Sequence, residues 1–206
     1  MVDNQLLRAL KDENISLAER LGVLEAENQR LWKLILGLNN LGVNRLILNN
    51  PAEILGTLNE ILDLTLQAVG SDNGSILLYD EGEEELVFVV VRGTREEELL
   101  DYRIPVNQGI AGWVGRNQKS ALVTDVRQDS RWLQSVDQSI GFHTNSLIAA
   151  PLVIEERLLG VLEVVNSRSQ EPFREKDLQV LNLVARLTSF VIGFTEEVLK
   201  NSGEER

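Results

Sequence analysis

With 20 Lys plus Arg against 32 Asp plus Glu in 206 residues, the chain carries a net charge of -12 and a pI near 4.6. Its 43% hydrophobic content supplies a core for one or two domains and excludes a disordered chain, which combines low hydrophobicity with high net charge. With no cysteine in the sequence, disulfides, thiolate metal sites, thiol nucleophiles and thioether-attached chromophores are excluded as well.

Met1 to Arg8 lack the basic start and apolar centre of a secretory signal, so the expected compartment is the cytosol. Leu10, Leu17, Leu24, Leu31 and Leu38 then recur every seven residues. In a heptad with those leucines at d, the a positions are Leu7, Asn14, Leu21, Asn28 and Ile35. A buried asparagine at a is satisfied when it meets its own copy across a symmetric seam, which favours a parallel dimer. Arg20 at g and Glu25 at the following e add attraction between chains. The expected seam is Leu10, Leu17, Leu21, Leu24, Asn28, Leu31, Ile35 and Leu38. The other reading of this pattern is an amphipathic helix packed on its own domain. A helix from about Asn4 to Leu48 would be on the order of 65 Å long. That is too long to lie along one small domain, which favours a projecting or paired helix.

Asn50, Pro51 and Glu53 stand in the order of N-cap, N1 and N3 for a second helix running to about Val69, with Gly70 as its left-handed stop. Ile54, Leu55, Leu58, Ile61, Leu62 and Val69 give it an apolar face. Two β-rich runs, Ser75 to Tyr79 and Leu86 to Val91, flank the acidic, glycine-containing Asp80 to Glu85 and predict a hairpin. Short helices are predicted at about Ile110 to Asn117 and Ser130 to Ile140, with a strand at Leu122 to Thr124. Between Asp125 and Arg131, arginines alternate with aspartates as in a solvated loop. No basic stripe supports direct nucleic-acid binding. Leu147 to Ile154, the longest apolar run, is far short of the roughly 18 residues of a membrane span and predicts a strand. Leu158 to Val165 predicts another after the tight turn Glu155-Glu156-Arg157, and a long helix follows from about Arg174 to Lys200. The order of elements gives an α+β class with an antiparallel sheet. The expected organisation is a dimeric coiled-coil helix over 1–48, a sheet domain over 49–200 and a disordered tail over 201–206.

The single histidine, His143, has no nucleophile-elbow motif at any serine to work with, and no second ligand at metal spacing. No catalytic residue and no metal ligand is assigned. An axial haem role for His143 stays open beside the plainer reading of a polar loop side chain. Gly109, Gly112 and Gly115 match neither a dinucleotide fingerprint nor a P-loop. On a helix they let one side approach closely, toward either a sheet or a ligand. Trp113, Trp132 and Phe142 either line a small cavity or fill core.

Several stretches together resemble the GAF domain family over about Leu48 to Phe194. They are Gly74 to Tyr79, Gly109 to Val114, Val123 to Val126 with Asp129 to Trp132, Gly141 to Leu147 running into Pro151-Leu152, and Gly160 to Asn166 followed by Phe173 and Asp177. The resemblance implies a sheet of about six strands, terminal helices on one face that often pair between subunits, and a ligand cavity on the other. It implies a regulatory sensor of a bacterial signalling protein rather than an enzyme, working as a homodimer with an effector domain or partner protein. The residues it places at a ligand are Trp113, Val126, Asp129, Trp132, Phe142, Thr144 and Asn145. Cyclic-nucleotide-binding members share Asn-Lys, then Phe, three residues and Asp-Glu. Here Asn166, Phe173 and Asp177 match, but Ser167 and Leu178 replace the Lys and Glu, and Asn145 stands where a basic residue often follows the threonine. Cyclic nucleotide is thus the weaker expectation, and the ligand stays unnamed. The cysteine-dependent bilin-binding and methionine-sulfoxide-reducing members are set aside. The alternative is a ligand-free dimerisation module that holds partner proteins in a two-fold frame.

Overall fold

The computed structural model describes residues 4–40 and 51–203. Helix α1 spans Asn4–Asn40 and α2 spans Pro51–Val69, followed by the hairpin β1 (Ser71–Asp80) and β2 (Glu85–Arg92). Then come α3 (Glu96–Leu99), β3 (Arg103–Pro105), α4 (Gly109–Asn117), β4 (Ala121–Val123) and a 3-10 turn at Val126–Gln128. The chain closes with α5 (Gln134–Ile140), β5 (Leu147–Ile154), β6 (Arg157–Ser167) and α6 (Glu175–Gly203). The expected N-cap Asn50 and the expected helix end at Leu48 lie outside the described residues. Helix α6 continues to Gly203, into the segment expected as a tail.

All six strands join one antiparallel sheet in the order β3-β2-β1-β6-β5-β4. The long pairings put β1 and β6 at its centre, with Ser75 opposite Glu163 and Ile76 opposite Leu162. Successive side chains on a strand point to opposite faces. In β6, Leu162 and Val164 therefore join the core under α2 and α6, while Val161 joins the core under α4 and Val165 packs against it. Glu163 points to that second side. The turn between β5 and β6 places Glu155 and Glu156 at φ 47° and 68°. Two positive φ values are the type I′ hairpin geometry, which sequences more often signal with Asn-Gly.

The terminal helices cover one face with close-packed apolar residues. Leu58, Ile61 and Leu62 of α2 meet Leu178, Leu181, Val184 and Ala185 of α6 over Ile76, Ile148 and Leu152 of the sheet. Burying each leucine or isoleucine contributes about 1.5–3 kcal/mol. Gly70, at φ 74°, ends α2 by donating its N–H to the Leu66 carbonyl at 2.9 Å. By length and composition, Glu175–Glu197 is apolar enough to cross a membrane. Half of that segment is buried inside the domain. Its interior hydroxyls, Thr188, Ser189 and Thr195, each donate to a carbonyl four residues back.

Helix α1 divides along its length. Residues 10–26 are exposed, whereas Leu34 is buried and Leu38 packs on the same core as α2. A Cβ at Gly37 would overlap the side chain of Leu64, so glycine sets how closely α1 approaches α2. Glu27 pairs with Lys176 of α6. Leu38, expected at the dimer seam, is thus taken into the domain's own core. The rest of the expected seam, Leu10, Leu17, Leu21, Leu24, Asn28, Leu31 and Ile35, stays exposed.

Three differences from the sequence reading have local causes. Helix α5 begins at Gln134 rather than Ser130, because Asp129 accepts the Arg131 N–H at 3.0 Å and holds the chain in an Asx turn. The edge strand β3 is three residues long and ends in Pro105, a tolerable residue where no further strand pairs. Helix α3, Glu96–Leu99, is one acidic turn without a buried residue and leaves no apolar period to detect.

Candidate functional site

The sheet face opposite the terminal helices is covered by α4, α5 and the loop after α5. Two adjoining cavities of about 70 and 80 Å³ lie beneath them. Both are lined by Phe88, Val136, Asp137, Thr144, Glu163 and Val165. The first extends to Ser75 of β1, to Ile140 and Phe142, and to Arg92 and Arg95. The second extends under α4 to Ile104, Ile110, Ala111, Trp132 and Leu147.

Local sequence builds this cover. Gly141, at φ 63°, caps α5 and turns the chain back. Asp137 of α5 then clamps the returning loop by accepting the Thr144 N–H at 2.7 Å and its hydroxyl at 2.8 Å. Asn166, at the end of β6, holds the next residues. Its side-chain oxygen accepts the Asn145 N–H at 2.7 Å, and its amide donates to the His143 carbonyl at 2.7 Å. Helix α4 sits down tightly because a Cβ at Gly112 would come within 2.9 Å of the Val106 carbonyl oxygen. A Cβ at Gly115 would meet Leu158 at 3.3 Å. At Gly112 and Gly115 the small-residue face therefore serves helix packing, while Gly109 reaches the cavity.

Glu163 is the unusual group. Its carboxyl makes no hydrogen bond or ion pair among the described residues, although it belongs to a central strand. Burial pushes its pKa up to about 7, and the neighbouring Asp137 charge adds to the shift. The residue nonetheless keeps some accessible surface, and that surface lies on the cavities it lines. The two guanidiniums at the first cavity already have partners. Arg92 pairs with Asp63 at 2.7 Å and with Glu96, and Arg95 pairs with Glu98 at 3.0 Å.

Trp132, Phe142 and Thr144, expected at a ligand, line these cavities. The other four expected residues lie elsewhere. Trp113 faces an open cleft outside α4, where the Arg131 guanidinium stacks 4.3 Å from its ring centroid. Asp129 holds Arg131 there by a 2.6 Å ion pair, and that hydrogen-bonded guanidinium keeps the Asp129 carboxyl below its usual range. Val126 is fully buried in the core beside α4, and Asn145 is exposed. His143 is also exposed on its loop. The sequence reading missed Glu163 and Asp137. A lone acid inside the apolar run Leu158 to Val165 was the available signal for the first. Among the described residues, no group of three or more His, Cys, Asp or Glu side chains could hold a metal ion.

The family model described as "GAF domain" matches residues 52–193. This chain belongs to the GAF domain family. GAF domains are regulatory sensor modules of signalling proteins. Curated relatives include the cone cGMP-specific 3',5'-cyclic phosphodiesterase subunit alpha' of Bos taurus, 30% identical over 88 residues, which are 43% of this chain and 10% of that protein. The probable 3',5'-cyclic phosphodiesterase pde-5 of Caenorhabditis elegans is 24% identical over 135 residues, 61% of this chain and 18% of that one. The GAF match thus spans less than a fifth of these relatives' lengths. Among solved structures, the GAF domain of a phosphoenolpyruvate-protein phosphotransferase from Coxiella burnetii superposes with a TM-score of 0.68 at 16% identity, covering 81% of this chain and 96% of its own. Free methionine-R-sulfoxide reductase from Neisseria meningitidis superposes at 0.59 with 22% identity, over 70% of this chain and 80% of its own. At such identities the likeness is one of fold.

Proposed function

We propose that this GAF domain is a ligand-responsive signalling module that binds a small molecule in the paired cavities around Glu163 and works as a homodimer joined through α1. The observation that carries the reading is a largely buried carboxyl without a partner among the described residues, facing partly open cavities lined by aromatic and aliphatic residues beside a clamped loop. A core built for stability alone satisfies or excludes such a group. Strand β6 supplies a route from the cavity to the terminal helices, because Glu163 and Val165 face the ligand side while Leu162 and Val164 support α2 and α6. A ligand that prefers one arrangement of the 134–146 cover shifts that arrangement's population by its differential affinity, and β6 passes the change to α6. The output goes to an effector domain or partner protein.

Cyclic nucleotide is the less favoured ligand. The motif residues present have other work here: Asn166 staples the loop, Phe173 is buried under α6, and Asp177 accepts the Arg174 N–H at 2.8 Å at the start of that helix. Cavities of about 70 and 80 Å³ are also well below the roughly 300 Å³ at which drug-sized ligand pockets begin.

Native mass spectrometry on gently purified protein, followed by hydrogen exchange, tests the reading. A dimer retaining a small mass supports it. So does ligand-induced protection over 130–145 accompanied by altered exchange in α6. Protection of the cover with no change in α6 removes the coupling, and a monomer removes the α1 seam. The second reading, a ligand-free dimerisation module, is favoured by exposed Leu17, Leu21, Leu24 and Ile35 on α1, each more than half accessible. A bare dimer that no small molecule stabilises selects it.

A further inference from the structure

We propose that the ligand of this cavity is a small organic cation bearing N–H donors, an ammonium or amidinium group, held by the carboxylates of Glu163 and Asp137. The inference rests on the sensor reading above and names the ligand's chemistry. Glu163 projects from the middle of β6 into both cavities, and no described side chain donates to it. Its register partner across β1 is Ser75, and the β1 stretch beside the cavity, Asn73 to Ser75, carries no charge. The charged groups that line the site are Asp137 on α5, Arg92 on β2, Arg95 on the segment after it, and Glu163 itself. Both arginines are confined to the first cavity and are engaged by Asp63, Glu96 and Glu98. The second cavity therefore contains two acids and no base.

The two acids are differently prepared. Asp137 already accepts two hydrogen bonds from Thr144, one on each oxygen, yet a carboxylate has about four lone-pair sites, so each oxygen retains acceptor capacity. Glu163 retains all of its acceptor sites. Above about pH 7, where Glu163 is ionised, an anionic ligand would place a third negative charge beside these two, in a low-dielectric space where repulsion is strong. A neutral donor would satisfy the lone pairs but leave the charge. A protonated nitrogen does both through charge-assisted hydrogen bonds. Phe88, Val136, Leu147 and Val165 would receive the ligand's apolar portion. Because Asp137 also clamps Thr144, a cation drawn to Asp137 bears directly on the loop that borders the cavity.

The test uses the full chain and three probes sharing one branched alkyl group: isoamylamine, isoamyl alcohol and isovaleric acid. Binding is followed at pH 8 by amide chemical-shift titration, in the wild type and in Glu163→Gln and Asp137→Asn, with Glu163→Asp as the charge-retaining control. The expected result is a preference of tenfold or more for the amine over the alcohol and acid. Glu163→Gln abolishes that preference, and Glu163→Asp keeps part of it. Equal or tighter binding of the acid or alcohol overturns the proposal, as does an amine preference that survives in Glu163→Gln. A retained anionic or neutral metabolite in native mass spectra overturns the cation class while leaving the sensor reading intact. No retained mass and no probe binding removes both.

Discussion

The two faces of the sheet are built from the same strands to opposite ends. Under α2 and α6, the buried side chains of the two helices are apolar or have their hydroxyls bonded within their own helix, and the layer is close-packed. Under α4 and α5, the cover is shorter, rests on a clamped loop, and leaves partly open cavities beside a carboxyl without a partner among the described residues. The difference shows where the fold gains stability and where it gives some up, a division expected when a binding site is grafted onto a rigid scaffold.

Truncating a core side chain on the packed face and neutralising Glu163 on the cavity face should therefore move stability in opposite directions. The largest effect is expected on the packed face. Leu162→Ala, at a fully buried position under α2 and α6, should cost about 2–5 kcal/mol in urea denaturation. A loss below 1 kcal/mol would mean that this face is not the stable one.

One residue along the same strand, Glu163→Gln should stabilise the fold. Burial raises the folded-state pKa of Glu163 from 4.5 to about 7, so the native state holds a proton that the unfolded chain releases. The group's favourable contribution is whole below about pH 4.5, is lost as pH rises through about 7, and remains lost above it. The variant should match wild type at pH 4 and exceed it by up to about 3 kcal/mol at pH 8, with the gap opening between. Asp137, Arg92 and Arg95 are the other charged groups on the cavity, and the two arginines keep their charge throughout this range. A gap independent of pH would refute the assignment.

Asn166→Ala should cost about 1–2 kcal/mol by removing the three side-chain hydrogen bonds that tie residue 166 to His143, Asn145 and Ser146, and should raise amide exchange at residues 143–146 more than in α6. Uniform exchange across both regions would show that the loop is not a separate unit. The smallest effect belongs to Arg127→Ala. Its ion pair with Asp125 draws that carboxyl down to about 2, but both groups are solvated, so the denaturation midpoint should not move measurably.

Much of this architecture is written in local pattern. The heptad leucines predicted α1, and alternation with turn residues placed β1, β2, β5 and β6 within a few residues. Pro51 and Gly70 bracketed α2. Period and turn chemistry are properties of neighbouring residues, so they survive in the sequence. The combined GAF motifs then pointed to the sheet's two-sided arrangement.

The site followed a different logic. Aromatic residues drew attention to Trp113, yet it is Arg131 and the outer cleft that hold it. Whether a tryptophan faces a cavity or solvent depends on how its helix is rotated, and that is set by Gly112 and Gly115 against distant backbone and side chains. Glu163 looked like one acid among 32. Its distinction comes from the absence of a partner, which depends on where β1, β2 and α5 put their own side chains. Composition and period determined the elements, the acidic surface and the exclusion of thiol chemistry. Tertiary structure decided which face is solid, which holds the cavities and that the Glu163 carboxyl is buried there without a partner among the described residues, because desolvation and pairing are properties of space and not of spacing along the chain.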